Sequence, residues 1–348
     1  MAKIKETALF TVIHEYFKVY LPNVKKYSPH TIRAYRKSME MLLDYVKEQK
    51  KLPLAKLTFE MIDKEMVLAF LDYLETERKC VPSTRNHRLH CIRAFYAYAA
   101  ETDMTAVMYA AKICKIDDCK VAEKCVGYMT KTAVDAIIRQ PDLKTLMGLR
   151  DMFLMFMLYQ TGARVQEILN IRLRDLQLCK HPIVTLFGKN SKVRSVPLRD
   201  VCVSQLKGFL KTFHSSAPMN SDTFLFYVER NGIRKRMSED NVRRFVANYG
   251  KQAREICMEV PEKVHPHLFR HTRAMHLYQN GVDLTLVSQW LGHSKLETTL
   301  IYASADTEHK RKAIEKAIPQ ESPMAEFANS NRYTIDDDEL TKVLYGLK

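Results

Sequence analysis

The sequence has few of the residues that interrupt regular structure, and it lacks any long apolar run. Glycine and proline account for only 10 and 12 of its 348 residues, so long helices can form without interruption. The most apolar segment, MFLMFMLY at 152–159, is far shorter than the roughly 20 residues that a membrane-spanning helix requires. The first ten residues, MAKIKETALF, also lack an apolar stretch, so we predict no signal peptide.

The eight cysteines are scattered, with no CxxC pair and no regular framework. Cys114, Cys119 and Cys125 are close in sequence, but their spacings fit no zinc-binding pattern. We therefore expect reduced cysteines in a cytoplasmic protein, with neither a bound metal nor a cofactor.

Acidic residues are in deficit. Aspartate and glutamate number 40 against 55 lysines and arginines, which gives a formal net charge of +15. A polyanion such as nucleic acid is the first partner to consider, although ribosome-associated and membrane-surface proteins share this balance. The length of the chain predicts two domains rather than one.

Helical periodicity dominates the first hundred residues. Ser28 can cap a helix whose first position is Pro29. An apolar stripe follows on one face, made of Ile32, Tyr35, Met39, Leu42 and Val46. A second helix is predicted within 57–77, and a third is opened by Ser83 or Thr84. The helix starts and opposite faces carry polar and basic residues, which predicts a domain that is basic on one side: Thr31, Arg33, Arg36, Lys37, Ser83, Thr84, Arg85, Asn86 and Arg88.

The helical pattern weakens between 104 and 127. We predict a helical domain at 1–108, a linker at 109–125, a second domain at 126–318, and a tail at 319–348 that ends in a short amphipathic helix. Thr130 is the expected cap of the first helix in the second domain. Its one clear β signal, PIVTLFGKNSKVRSVPL at 182–198, predicts a hairpin, and helices resume from 201. The predicted fold is mainly α, with an all-helical first domain and a mixed α/β second domain.

Short motifs in the second domain carry groups that can handle a phosphate. In HLFRH, His267 and Arg270 are three residues apart and therefore share a helix face. TGAR places Arg164 at a helix start just after a glycine, where a guanidinium group and backbone amides can meet an anion. Lys189 lies at the tip of the predicted hairpin. Singly, each of these residues is more often solvated surface.

The segment HSKLETTLIY is more informative. Ser294 and Glu297 fit an S-x-x-E capping box, which predicts a helix that begins immediately after His293 and carries Tyr302 two turns in. A lone tyrosine at such a position is more often part of a core.

Taken together, the motifs TGAR, GKNSKVRSVPL, HLFRHT and WLGHS, with a tyrosine nine residues after the last histidine, resemble the catalytic set of the tyrosine recombinase (phage integrase) family. The resemblance is specific over roughly 125–305 and weaker over 10–103, which looks like the family's helical core-binding domain. Two departures, Phe269 where leucine is common and Asn190 where glycine often follows the lysine, remove no reactive group.

The resemblance implies a role for each matching residue. Arg164 and Arg270 would hold the non-bridging oxygens of the scissile phosphate, for which the planar guanidinium group is suited. Lys189 would protonate the departing 5′ oxygen. His267 would share proton handling with the nucleophile, and His293 would hydrogen-bond the phosphate.

Tyr302 matches the nucleophile, and Glu167 matches an acidic partner that orients the site. A phenol has a pKa near 10, so at neutral pH it needs a base or a strong positive field, which two arginines, a lysine and two histidines can supply without a metal. The product would be a 3′-phosphotyrosyl bond that a 5′ hydroxyl can reseal without ATP. The predicted DNA contacts are the basic and polar residues of the first domain, together with Lys192 and Arg194.

The expected partner is double-stranded DNA with specific core sites, in the nucleoid. The resemblance implies a homotetramer on two duplexes, with a C-terminal helix that docks in a neighbour. Its apolar stripe, Leu340, Val343, Leu344 and Leu347, fits docking within one protomer equally well. Two other functions stay open, a DNA-binding regulator that has lost its chemistry and a type IB topoisomerase. The sequence does not separate integration, excision and dimer resolution, and we expect no arm-binding domain before the first helices.

Overall fold

The computed structural model describes residues 7–121, 127–188, 192–305, 311 and 342–347. The chain divides into two compact units, Met1–Glu123 and Lys124–Lys348. In the described ranges, helices predominate and the strands are short. None of the helices in these ranges is long and apolar enough to cross a membrane.

The first unit is entirely helical. Its α-helices are α1 (Ala8–Glu15), α2 (Pro29–Lys50), α3 (Lys64–Thr76), α4 (Pro82–Thr102) and α5 (Met104–Ile113), and a π-helical stretch, Tyr16–Val24, continues α1. The Ser28 hydroxyl accepts a hydrogen bond from the Thr31 amide, which confirms the predicted start of α2. The predicted apolar stripes of α2 and α4 face one shared core, in which Leu42, Val46 and Ile92 are fully buried.

The helix predicted within 57–77 is α3, which starts after its cap Asp63 and follows a 3₁₀ turn at Phe59–Met61. Two other local features of this unit differ from the prediction. The cap position of α4 is Val81 rather than Ser83 or Thr84, because Pro82 already takes the first helical position. Residues 109–113, predicted as linker, complete α5, whose Ala110 and Ile113 are buried in the core of the unit.

The second unit surrounds a small antiparallel sheet with helices. Its helices are α6 (Lys131–Ile138), α7 (Leu146–Thr161), α8 (Val165–Leu169), α9 (Asp200–Phe213), α10 (Glu239–Ile256), α11 (Pro266–Gln279), α12 (Leu284–Leu291) and α13 (Glu297–Ala305). Thr130 caps α6, as predicted. The central helix α7 is buried on most sides and packs against α11 and α9, so it forms the middle of the core.

The sheet order is β1 (Leu176–Gln177), β2 (Ile183–Phe187) and β3 (Val193–Pro197). Strands β2 and β3 form the predicted hairpin, with Val184 opposite Val196 and Leu186 opposite Arg194. A second hairpin, β4 (Tyr227–Arg230) with β5 (Ile233–Arg236), lies where only helices were predicted. Its turn is Asn231–Gly232, both at positive φ, and Asn-Gly is a recognised hairpin signal that the sequence prediction overlooked.

Candidate active site

Two helices end at glycines that precede predicted catalytic residues. Helix α7 ends at Gly162, with φ of 61°, and α12 ends at Gly292, with φ of 67°, so both occupy the left-handed region that glycine favours. A Cβ on Gly292 would lie 3.0 Å from Arg194 Cδ, so this position also requires the smallest residue for space. The two turns present Arg164 and His293.

Arg270 joins these two helix ends. It lies in the first turns of α11, whose N-cap His265 accepts a hydrogen bond from the Leu268 amide. One terminal nitrogen of Arg270 donates to the Gly162 carbonyl at 2.9 Å, and the other donates to the Leu291 carbonyl at 2.8 Å. The side chain is buried, with 1% exposed. Burial, followed by the nearby charge of Arg164, lowers the pKa of Arg270 to about 10, so it remains a cation at neutral pH.

Arg164 and Glu167 form a closed pair at the start of α8. The Glu167 carboxylate accepts from the Arg164 backbone amide at 2.9 Å and from its guanidinium at 3.0 Å. Glu167 is buried, with 2% of its side chain exposed, whereas Arg164 keeps 36% exposed. Burial alone would raise the pKa of Glu167, but the Arg194 and Arg164 partners hold it below its ordinary value. Arg164 is therefore both held in place and accessible to an anion.

The predicted nucleophile lies at the inner end of the site. Tyr302 is 1% exposed and packs among Ala274, Met275, Val287 and Leu291. Its hydroxyl is 2.9 Å from Nδ1 of His271. Burial raises the pKa of Tyr302 to about 12, while the charges of Arg270 and Arg164 act in the opposite direction. The phenol is thus protonated and inward-facing, but it lies in the field of both arginines.

The start of α13 differs from the prediction. The helix begins at Glu297 rather than immediately after His293, so the proposed Ser294–Glu297 capping box was wrong and Tyr302 is the sixth residue of the helix. The Ser294 hydroxyl instead lies 2.9 Å from the Lys192 ammonium. The intervening turn keeps His293 between α12 and α13.

The two predicted histidines flank the site. Nδ1 of His293 is 2.8 Å from the buried Thr299 hydroxyl. Burial, and next the charges of Arg270 and Arg164, lower the pKa of His293 to about 4, so it is neutral at physiological pH. His267 lies on the outer face of α11, and its ring meets His271 edge-on at 4.5 Å.

Sequence analysis missed His271. It lies four residues after His267, so helical spacing places both rings on one face, and the quoted HLFRH motif already contained it. Burial, followed by the charges of His267 and Arg270, lowers the pKa of His271 to about 4. A neutral imidazole is therefore the contact of the Tyr302 oxygen.

Three residues of the β2–β3 hairpin were predicted to act in the site or on DNA: Lys189, Lys192 and Arg194. Lys189 lies outside the described residues. Lys192 is exposed, whereas Arg194 is half-buried and directs its guanidinium group into the site. Its guanidinium donates to Glu167 at 2.7 Å and to the Trp290 carbonyl at 3.0 Å.

Several predicted DNA contacts of the first unit hold that unit together. Arg85 pairs with Glu75 at 3.2 Å, and Arg88 donates to the Ser38 hydroxyl at 2.9 Å. Asn86 exchanges two hydrogen bonds with the backbone of Cys119. The exposed members of the predicted set are Arg33, Arg36, Lys37 and Ser83, while Thr31 and Thr84 are half-buried.

Comparisons with known proteins show the family to which the chain belongs. Residues 127–309 match the phage integrase family, and residues 14–102 match the N-terminal SAM-like domain of phage integrases. A Sinorhizobium fredii protein named integrase/recombinase y4rC is 30% identical over 337 residues, which span 97% of this chain and 98% of that protein. The tyrosine recombinase XerD of Staphylococcus aureus is 28% identical over 312 residues, covering 89% of this chain and 99% of its own.

Among solved structures, the XerH site-specific recombinase in a post-cleavage complex with its palindromic difH substrate has a TM-score of 0.67 at 20% identity, covering 88% of each chain. This likeness concerns the fold, and it confirms the predicted fold class. The chain belongs to the phage integrase family, whose members are tyrosine recombinases. Its activity is that of a tyrosine site-specific recombinase.

Proposed function

We propose that this recombinase cuts and rejoins specific DNA sites through Tyr302, with Arg164, Arg270 and His293 around the reacting phosphate. The observation that carries the proposal is the convergence of these groups. The charges of Arg270 and Arg164 act on both the His293 imidazole and the Tyr302 phenol. A phosphodiester placed against this cluster would meet the accessible Arg164 guanidinium, with the buried Arg270 cation and the Tyr302 phenol behind it.

In the proposed reaction, the Tyr302 oxygen attacks the phosphorus and the bond from phosphorus to the 5′ oxygen breaks. The phenolic proton leaves to a neighbouring base, and the departing 5′ oxygen takes a proton from Lys189, the role that the family resemblance implies. A 5′ hydroxyl then attacks the phosphotyrosyl bond and releases the phenol. The number of ester bonds is unchanged, so no external energy source is required.

His271 is close enough to receive the phenolic proton, but the pKa values argue against transfer in this state. The phenol has a pKa of about 12 and the imidazole of about 4. Because Tyr302 is only 1% exposed, the proposed attack requires its oxygen to move out to the phosphate when DNA binds. His267 stays the proposed proton-handling residue of the engaged state, and Glu167 the residue that orients Arg164.

A basic cavity in the second unit supports DNA as the substrate. It has a volume of about 600 Å³ and lies between the β4–β5 hairpin and the start of α10. Its cationic lining residues are Arg230, Lys235, Arg236 and Arg244. Arg230, Lys235 and Arg244 are exposed and are proposed sequence-independent contacts to phosphates, as are Arg33 and Arg36 of α2, whereas Arg236 donates to Asn170. Thr31, Lys37, Ser83, Thr84 and Lys192 stay proposed contacts, whereas Arg85, Asn86 and Arg88 have partners inside their unit.

The proposed assembly is a homotetramer on two duplexes. Val343, Leu344 and Leu347, near the C-terminal end, are exposed in this single chain, which favours a partner surface for them. Leu340, the fourth member of the predicted stripe, lies outside the described residues. Integration or excision of a mobile element is the proposed biological use, in a cytoplasmic, nucleoid-associated setting.

The decisive experiment traps the covalent intermediate. A library of nicked suicide substrates is incubated with the protein, and DNA that becomes attached is sequenced. The wild type is expected to yield a 3′-linked adduct at defined sites, and Tyr302→Phe to yield none while still binding DNA. A pure DNA-binding regulator would give no adduct with either protein, and a topoisomerase would relax supercoiled DNA without paired sites.

A further inference from the structure

Arg194 has an unusual position for a residue of the hairpin strand β3. Its side chain is only 13% exposed, although its neighbours Val193 and Lys192 are exposed. A basic residue that contacts DNA phosphates keeps its guanidinium toward solvent in the free protein. Here the guanidinium group is directed inward and uses two of its three nitrogens on partners in other elements.

The first partner is the carboxylate that also binds Arg164. One oxygen of Glu167 accepts from the Arg164 guanidinium, and the other accepts from the Arg164 amide and, at 2.7 Å, from Arg194. A carboxylate that is 2% exposed needs compensating positive charge to remain ionised. Because Arg194 supplies part of that compensation, Arg164 is not the only cation that must neutralise Glu167. Its half-exposed guanidinium can then serve an incoming anion as well.

The second partner is the C-terminal end of α12. Arg194 donates to the Trp290 carbonyl, and Arg270 donates to the next carbonyl, that of Leu291. Both carbonyls belong to the last turn of the helix, where cations are favourable and carbonyls lack helical partners. The Arg194 side chain also covers Gly292, where an added Cβ would lie 3.1 Å from its terminal nitrogen. The next residue is His293.

We propose that Arg194 is a positioning residue of the recombination reaction, which holds Glu167 and the α12 terminus so that Arg164 and His293 face the same phosphate. The inference rests on the proposed function. It replaces the expectation that Arg194 contacts the DNA backbone, and it predicts a defect in the cleavage step with normal DNA affinity.

The experiment measures binding and cleavage separately for Arg194→Ala. Affinity for a duplex site is measured over a range of salt concentrations, and the rate constant of adduct formation is measured with saturating enzyme on a suicide substrate. We expect affinity and salt dependence to stay within about twofold, while the rate constant falls roughly 100-fold, as is typical of a small misplacement of catalytic groups. If Arg194 were a phosphate contact, the salt slope would fall by about 1 and the rate at saturation would be normal, which would overturn the proposal.

A second variant separates positioning from general structural support. In Arg194→Ala, Glu167 is left with Arg164 alone, so removing its charge should free Arg164 again. We expect the double variant Arg194→Ala/Glu167→Gln to form the adduct at least about tenfold faster than Arg194→Ala. The rate of Arg194→Lys should lie between those of the wild type and Arg194→Ala, since an ammonium group lacks the fork that spans two acceptors. A double variant no faster than Arg194→Ala would contradict the shared-carboxylate explanation.

Two kinds of control are needed: one for folding, and one that separates failure of the inference from failure of the proposed function. Arg139→Ala removes an exposed arginine whose partner is Asp135 on the same helix, so it should leave both measurements unchanged. Should Arg194→Ala fail to fold, Arg194→Lys carries the test, and a wild-type rate for it would overturn the proposal. If the wild type itself forms no adduct, the proposed function has failed. If the wild type forms the adduct and Arg194→Ala weakens only binding, the inference alone has failed.

Discussion

Arginines of the two units make similar bonds with different consequences. In the first unit, the half-buried Arg88 of α4 donates to a hydroxyl and a carbonyl of α2, so it joins two helices around an apolar core. In the second unit, the buried Arg270 donates to two carbonyls, but Arg164 and Arg194 lie close enough to lower its pKa. An isolated arginine such as Arg88 stabilises packing. In the second unit, several arginines lie close together around the Glu167 carboxylate. Their combined positive charge distinguishes the site from the core of the first unit.

The largest effect that we expect comes from Tyr302→Phe. The variant lacks only the phenolic oxygen, so the fold is retained and cleavage should fall below detection, by at least about 10⁴-fold. Trapping on a suicide substrate measures the adduct, and a gel-shift titration shows whether binding survives. An adduct of undiminished amount would mean that another residue is the nucleophile.

Arg270→Lys and Arg88→Lys test the comparison directly. Arg270 binds its two carbonyls through two different nitrogens, which a lysine cannot reproduce, whereas Arg88 uses a single nitrogen for its hydroxyl and its carbonyl. We expect Arg270→Lys to lower the cleavage rate about 10³-fold, in the range of the loss of one preorganised donor. Arg88→Lys should instead destabilise the protein by about 1–3 kcal/mol, with the cleavage rate of bound enzyme unchanged. Equal rate defects in both variants would break the distinction between the two arginine environments.

A smaller effect is expected at the contact between His271 and Tyr302. The hydrogen bond is largely buried, so removing either partner should destabilise the protein by about 1 kcal/mol. In a double-mutant cycle with His271→Ala and Tyr302→Phe, measured by chemical unfolding, the two losses should overlap rather than add. Strict additivity would show that the contact contributes nothing to the stability of the DNA-free state.

The pH dependence of stability should report on two histidines of the site in the second unit. His271 and His293 have pKa values near 4, below the ordinary 6.5, because of burial and neighbouring positive charges. The fold therefore favours their neutral forms, and their contribution is complete above pH 6.5 and lost as the pH falls toward 4. Thermal unfolding between pH 8 and pH 4 should show this loss, and His293→Asn should flatten part of it. A pH-independent midpoint would contradict the assignment.

The smallest effect is expected from Arg36→Ala in the first unit. This residue is exposed on α2, although its guanidinium lies 5.7 Å from the centre of the Phe17 ring, so it should contribute one phosphate contact and a small amount of stability. The salt slope of DNA binding should fall by about 1, with only a small change in the melting temperature. A change in stability without a change in the slope would place Arg36 with Arg88 among the structural arginines.

Much of the fold followed from short-range patterns. The apolar stripes of α2 and α4, the Ser28 and Thr130 caps and the β2–β3 hairpin depend on neighbours within a few residues, so the sequence displays them directly. The start of α13 was misplaced because Ser294 meets Lys192, which is about a hundred positions away. A capping motif cannot reveal that a distant side chain has taken its hydroxyl.

The candidate site shows the same limit. The order of Arg164, His267, Arg270, His293 and Tyr302 was visible in the motifs, but the direction of a side chain was not. Arg194 and Arg88 look alike in sequence to Arg36, since each is a basic residue on a polar stripe. Only tertiary structure shows that the first two are bound to protein groups and the third is exposed.

Arg270 joins the ends of α7 and α12, two helices that finish at a glycine. This arrangement limits which parts of such an enzyme can vary in sequence. Arg270 fixes the separation of the Arg164 turn from the His293 turn, so neither turn can shift independently while both carbonyls stay bonded. Variation that alters target choice is therefore easier in the exposed helix faces and the β4–β5 hairpin than in this junction. The junction therefore holds the site in one arrangement, and the exposed surfaces around it can vary without disturbing it.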